Sequence, residues 1–282
     1  MPTNNSITTQ PKYRKQLNEL QTEVLLCLYK FRFGTAELIS RYQEVTAVRD
    51  TNKRLKILLE QGYISRNYDS SYRIDRRQAS YYLLPKGIRL LKGYTEQELD
   101  PKGLNLLYYN RSASEGFVGH CLDVFRLYLK IKSLYGDSMA FYTRSELAQY
   151  GDEMFPRPRP DGFLRLEDNQ VANSTFMLDI LGNDIPWFTL RRRVRRYFRH
   201  YDQDWSISSQ GDYHILLLVC EDTYLEQQVR RMTDRLINKA EFYEDLRAYT
   251  TTMKALLDAK SLKTPIWRGV TEPEDAVSLG MI

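Results

Sequence analysis

Six arginines fall within nine positions, and only Val194, Tyr197 and Phe198 interrupt the run from Arg191 to Arg199. So much charge cannot be buried on every side, and as a strand it would place arginine on both faces of a sheet. A helix sorts it. Over Leu190 to Tyr201 the 3.6-residue period puts Leu190, Val194, Tyr197 and Tyr201 on one face and Arg192, Arg195, Arg196 and Arg199 on another. The outer face is either simply solvated or set against a polyanion, which would relieve the mutual repulsion of the arginines. If about six phosphate contacts formed there, affinity would fall roughly a thousandfold between 50 and 200 mM salt.

Two apolar stretches of strand length precede this helix, Asp161 to Leu166 and Thr175 to Leu181, joined by the polar turn Glu167 to Gln170. Each carries one carboxylate. Asp161 sits in Pro160-Asp161-Gly162, a common turn in which aspartate bonds backbone amides. Asp179 lies between Leu178 and Ile180, where a carboxylate is destabilising unless paired or metal-bound. Three uses of the pair remain open: a structural acid–arginine cluster, a vestigial metal or phosphate site, and an active nuclease centre.

With 282 residues the chain is long enough for two domains, and its 42% hydrophobic content supplies packed cores. The formal charge of +5 is modest, so its local concentration matters more than its total. Cys27, Cys121 and Cys220 each stand in an apolar stretch with no C-x-x-C pair, which reads as buried reduced thiols and against structural zinc. Met1 to Gln10 lacks a signal-peptide pattern, and the longest apolar run, Tyr213 to Cys220, suits a buried strand and is far short of a membrane span. A soluble cytoplasmic protein is expected.

In chain order, 1–15 reads as a mobile arm with Lys12, Arg14 and Lys15 near its end. Leu17 to Phe31 has helical spacing; Thr35 can cap a second helix through Ser40; Thr46 can cap a third, with Val48, Leu55, Leu58 and Leu59 as its buried stripe and Gly62 at its end. Tyr63 to Tyr68 and Ala79 to Leu84 then form an antiparallel hairpin, and Pro85-Lys86-Gly87 restarts a helix through Leu91. Three helices and a hairpin resemble a winged helix-turn-helix domain, here 16–94. The similarity is carried by Leu58-Leu59-Glu60-Gln61-Gly62-Tyr63-Ile64 and Tyr82-Leu83-Leu84-Pro85-Lys86-Gly87. The resemblance implies a recognition helix presenting Arg49, Asn52, Lys53 and Lys56 to the major groove, and wing-tip Arg73, Arg76 and Arg77 along phosphates or in the minor groove. The competing use of these residues is an ordinary charged surface for protein contacts.

Residues 95–114, with Pro101 and Gly103, read as a linker. Glu115 to Leu134 is a long helix whose His120, among apolar neighbours, reads as a buried hydrogen-bonded residue. Met139 to Tyr142 is a strand. After the acid-bearing strands and the arginine helix come a buried strand from His214 to Cys220 and helices over Tyr224 to Lys239 and Glu241 to Ala259. A short strand-like piece, Pro265 to Arg268, and an acidic tail, 271–282, complete the chain. This order resembles the restriction-endonuclease-like (PD-(D/E)xK-type) α/β core, over 115–270. That resemblance implies a divalent metal, Mg²⁺ or Mn²⁺, held by Asp161 and Asp179 as candidate catalytic and metal-binding acids, with Glu146 or Glu115 as a further acid. Leu181 stands where a lysine belongs, so the core is degenerate; Arg191 or Arg192 could reach in from the following helix, but a guanidinium does not readily replace a lysine acting near water.

The two parts together resemble the replication-relaxation family. The similarity is carried by the Glu115-to-Leu134 helix with His120, by Ser145-Glu146, Pro160-Asp161-Gly162 and Phe176-Met177-Leu178-Asp179, and by the basic helix. It implies a protein that binds double-stranded DNA as an accessory of plasmid or mobile-element replication, relaxation or mobilisation, beside a relaxase or replication initiator. A metal-dependent nuclease, and a transcriptional regulator or protein-interaction module, are the alternatives. Winged-helix proteins often dimerise, so a homodimer on a palindromic site is also open.

Overall fold

The computed structural model describes residues 17–69, 77–93, 99–152, 154–166, 174–202, 215–238, 247–261, 263–271, 275–278 and 282. The expected 1–15 arm, the polar turn after Leu166, and wing-tip Arg73 and Arg76 lie outside these residues.

Helix α1 (Glu19–Phe31) opens on a capping box, in which the Asn18 side chain accepts from the Gln21 amide and the Gln21 side chain accepts from the Asn18 amide. Thr35 caps α2 (Ala36–Tyr42) as expected. Helix α3 (Val48–Glu60) departs from expectation at its start: its N-cap is Ala47, with no side-chain cap, and Thr46 caps nothing. The inward stripe is therefore Thr51, Leu55 and Leu58, at i, i+4 and i+7, while Val48 is exposed. Gly62, at φ +71°, turns the chain into β1 (Ile64–Asn67), which pairs antiparallel with β2 (Ser80–Leu83). Helix α4 (Pro85–Lys92) follows with proline in its first turn.

The described part of the stretch read as a linker is folded. Helix α5 (Pro101–Leu106), capped by Asp100, runs into a 3₁₀ turn over Leu107–Ser112. Leu104 and Leu107 are buried, and the Arg32 guanidinium donates to Asn110 Oδ1 and to the Leu106 carbonyl. Leucines three residues apart supply an apolar edge that the neighbouring Pro and Gly disguise.

Helix α6 (Glu115–Tyr135) is the spine of the molecule. Phe31 of α1 stacks on its Phe125 with ring centroids 4.0 Å apart, and its Tyr128 meets Phe141 edge-on at 5.4 Å. One buried cluster runs from Val24 on α1 through α6 to Leu178, Leu217 and Trp267 in the sheet. The N-terminal helices thus share a core with the sheet across α6.

That sheet has seven strands in chain order: β3 (Met139–Thr143), β4 (Gly162–Leu166), β5 (Ser174–Leu181), β6 (Ile215–Cys220), β7 (Ala248–Thr252), β8 (Trp267–Gly269) and β9 (Ala276–Val277). The pairs β5–β6 and β6–β7 are parallel and the rest antiparallel. Helices α7 (Trp187–Asp202) and α8 (Thr223–Asn238) make the two parallel crossovers. Every residue of β6 is buried, as a strand covered on both faces requires. Phe176, Leu178 and Ile180 of β5 point to the α6 side; Met177 and Leu181 point to the side covered by α7 and α8. Alternation puts Asp179 on that second side, under the arginine helix.

A helix was expected over Glu241 to Ala259. Residues 239–246 lie outside the described set, and Ala248–Thr252 is strand β7, with only Met253–Asp258 helical (α9). Tyr249 and three consecutive threonines favour the pleated surface, and pairing beside β6 decides the matter. Part of the tail is also folded, because β9 closes on β8. All three cysteines are buried and free. Among the described residues, no helix is long and apolar enough to cross a membrane.

Candidate functional site: an acid–arginine cluster beside a cationic cleft

The register of β4 and β5 brings the two acids together. Gly162 pairs with Leu178, so one step further Asp161 faces Asp179, and the Asp161 amide donates to Asp179 Oδ1 at 3.2 Å. Gly162 is not a left-handed turn glycine. It opens β4, and a β-carbon there would strike the Phe141 ring at 2.5 Å, so the missing side chain is a packing requirement.

Two carboxylates directly opposed and buried are destabilising unless cations match them. Here α7 supplies the match. Arg193 Nη2 lies 2.6 Å from Asp161 Oδ2 and 3.3 Å from Asp179 Oδ1, and its Nε lies 3.2 Å from Asp179 Oδ2. Arg196 Nη2 donates to Asp179 Oδ2 at 2.8 Å and to the Tyr197 hydroxyl at 2.9 Å. From the other side Arg144 Nη2 donates to Asp161 Oδ1 at 2.7 Å, and His120 Nε2 lies 2.8 Å from the same oxygen. The Ile180 amide reaches Asp161 Oδ2 at 3.0 Å. Each of the four carboxylate oxygens therefore has two donors within 3.3 Å. Burial alone would raise the Asp161 pKa; Arg193, Arg144 and His120 outweigh it and hold the carboxyl well below the usual carboxylate range. Burial would lower Arg193 and Arg196, but Asp179 above all holds both guanidinium groups firmly protonated.

A divalent metal does not fit this pair. The oxygens that would ligate it are occupied, and three guanidinium groups surround the place it would take. Donors are in excess: Arg196 Nε and Nη1 and Arg144 Nε are buried without a hydrogen-bond partner. Among the described residues, no group of three or more His, Cys, Asp or Glu side chains could hold a metal ion. The two further acids are engaged elsewhere. Glu146 accepts from the Thr143 amide and hydroxyl at 2.7 and 3.1 Å and pairs with Lys30 at 3.2 Å. Exposed Glu115 lies 3.8 Å from Arg77.

Two expectations about the arginine helix change. Arg196, expected on the outer face, is buried against Asp179; the outward residues are Arg191, Arg192 and Arg199, with Arg195 half-buried beside them. The guanidinium nearest the acids belongs to Arg193, not to Arg191 or Arg192. At 100° per residue Arg193 lies within about 60° of the Leu190–Val194–Tyr197 stripe, closer than either neighbour, so a helical wheel carries the signal. Leu181, in the position where a lysine was expected, is buried in the α7–α8 core. Arg144 could not be found from sequence, because β3 delivers it across 17 residues of chain. On α3, Arg49, Asn52, Lys53 and Lys56 are all exposed, with Lys53 bridged to Asp50 at 2.8 Å and Lys56 lying 3.9 Å from Glu60.

A helical and hairpin unit joined through one long helix to a seven-stranded mixed sheet, with its acid pair locked by arginines, defines a mixed α+β protein with cationic surfaces. A model of the replication-relaxation family matches residues 25–206, from within α1 to just beyond the arginine helix. The chain belongs to the replication-relaxation family, and membership suggests a role in replication or relaxation. A comparison with curated proteins finds no match.

The pH dependence of the cluster follows from its charges. A depressed folded-state pKa at Asp161 contributes stability above the unfolded carboxylate value of about 3.9, and that contribution is lost as pH falls through the folded value. Thermal melts of the wild-type chain should lose stability progressively below about pH 4, and Asp161→Asn should flatten that part of the profile. A variant melt that keeps the wild-type acid slope would contradict the assignment.

Proposed function

We propose that this chain is a double-stranded DNA-binding accessory of plasmid or mobile-element replication, relaxation or mobilisation, acting beside a relaxase or replication initiator. Residues 16–94 serve as a winged helix with α3 as its recognition helix. The sheet region is a restriction-endonuclease-like core whose acids have become a structural lock. One observation carries the reading: Arg49, Asn52, Lys53 and Lys56 all stand on the exposed side of α3, opposite the buried Thr51, Leu55 and Leu58. Arginine and asparagine read guanine and adenine edges bidentately, and lysines hold phosphates. Arg77 at the foot of the hairpin and the outward arginines of α7 add backbone contacts. No catalytic step is assigned to Asp161 and Asp179, since their oxygens are taken.

The test is gel-shift selection from a random duplex pool. The wild-type chain should enrich a preferred site. Arg49→Ala and Asn52→Ala should each relax preference at one position, by about 1–3 kcal/mol of discrimination. Enrichment of the same site, equally strongly, by both variants would remove α3 from the reading.

A further inference from the structure

A narrow cleft of about 30 Å³ lies between the end of α1, the first turns of α6 and the loop after β3. Lys30, Arg32, His120, Arg144, Ser145 and Asp161 are in its walls. Its charge does not balance. Lys30 is matched by Glu146, and Asp161 by Arg193 and Arg144. Arg32 is matched by no carboxylate among the described residues; its partners are the neutral carbonyls of Asn110 and Leu106 and the face of the Phe117 ring, 4.6 Å away. Burial lowers its pKa and the Arg144 charge adds to the effect, as expected for a guanidinium held away from water beside another cation.

Two further observations point to a ligand. Ser145 is almost fully buried, yet its hydroxyl has no hydrogen-bond partner, and Arg144 Nε beside it is also unpartnered. Such orphan donors are unfavourable unless something accepts from them. The backbone at Arg32 is held at φ +68°, ψ −44°, with the Phe33 amide bonded to the Phe31 carbonyl at 2.8 Å, a three-residue turn of the strained hand. Folding thus sustains local strain at the residue that brings the unmatched charge to the cleft.

We infer that this cleft binds the phosphoryl group of a phosphate monoester, with Arg32 and Arg144 as charged donors and Ser145 as a neutral one. A tetrahedral dianion supplies the acceptors that the orphan donors lack and neutralises the uncompensated guanidinium. The group comes either from a strand end or from a free nucleotide or phosphate. The inference stands apart from duplex reading by α3, because α3 contributes no residue to the cleft walls and the site needs no base contact.

The experiment uses the full chain. Inorganic phosphate, against chloride at matched ionic strength, should raise Tm by about 3 °C at ten times its Kd. Ser145→Ala should leave the ligand-free Tm at or above the wild-type value, since it removes an unsatisfied buried hydroxyl, while weakening phosphate by about fivefold, and Arg32→Gln should abolish the shift. If Arg32→Gln fails to fold, Ser145→Ala alone decides. A phosphate shift no larger than that of chloride, or one equal in wild type and Ser145→Ala, overturns the site. A 5′-phosphorylated single strand bound about tenfold more tightly than its 5′-hydroxyl twin assigns the group to a strand end. Equal binding of the two strands, with the phosphate shift retained, assigns it to a free nucleotide or phosphate. Loss of duplex affinity in the α3 variants leaves these outcomes untouched, so the two readings fail separately.

Discussion

Arg193→Met should destabilise the chain by about 3–5 kcal/mol, while Arg192→Met one position away stays within about 0.5 kcal/mol of wild type. The contrast follows from where each side chain lies. Arg192 is exposed, whereas among the described residues only Arg193 has a guanidinium that touches both Asp161 and Asp179. Methionine fills much of the volume but leaves each buried carboxylate with a single guanidinium, Arg144 beside Asp161 (with His120) and Arg196 beside Asp179. Arg193→Lys should recover only part of the loss, since an ammonium cannot reach both acids in one plane. Removing charge from both sides, as in Asp161→Asn with Arg193→Met, should be less harmful than the sum of the single changes, because breaking a buried pair is far worse than deleting it. Urea unfolding of these four variants and of Asp161→Asn alone measures all of this. Additive effects, or equal losses at Arg192 and Arg193, would show that the cluster does not hold β4, β5 and α7 together.

How much of this could be read from sequence depended on whether the signal was local. The Thr35 cap, the Gly62 turn and the buried run of β6 were all visible, because short-range patterning dictates them. The start of α3 was not, since Thr46 resembled a cap that the chain passes by. Strand β7 was missed because its threonines follow a helix-like stretch, and only pairing beside β6 makes them a strand. For the acid pair, the amino-acid types foretold an arginine partner but not which one. Asp161 is satisfied from three elements at once: Arg193 on α7, His120 on α6 and Arg144 after β3. His120 read correctly as a hydrogen-bonded histidine, yet its partner lies 41 residues away in the chain and no spacing rule could name it. Long-range register, here Gly162 opposite Leu178, is what turns two separate acids into a pair.

On the proposed reading, duplex affinity should depend on salt less steeply than six arginines would require, because Arg193 and Arg196 are spent inside the fold. Arg191, Arg192, Arg195 and Arg199 remain, and four phosphate contacts give a slope near −3.6, or about 150-fold between 50 and 200 mM salt from this face. Changing Arg192, Arg195 and Arg199 together to alanine should flatten the slope by about 2.7 and weaken every duplex alike, with site preference intact. Arg196→Ala should instead act on stability, since its charge faces Asp179. The two sets of arginines, one residue apart on the same helix, would thus be separated by two assays: filter binding across a salt series, and unfolding. If the triple variant binds duplexes as tightly as wild type and loses only the capture of a protein partner, the basic face serves a protein–protein contact. A slope unchanged by the triple variant would place the phosphate contacts elsewhere, with α3 and Arg77 the remaining exposed cations of the proposed interface.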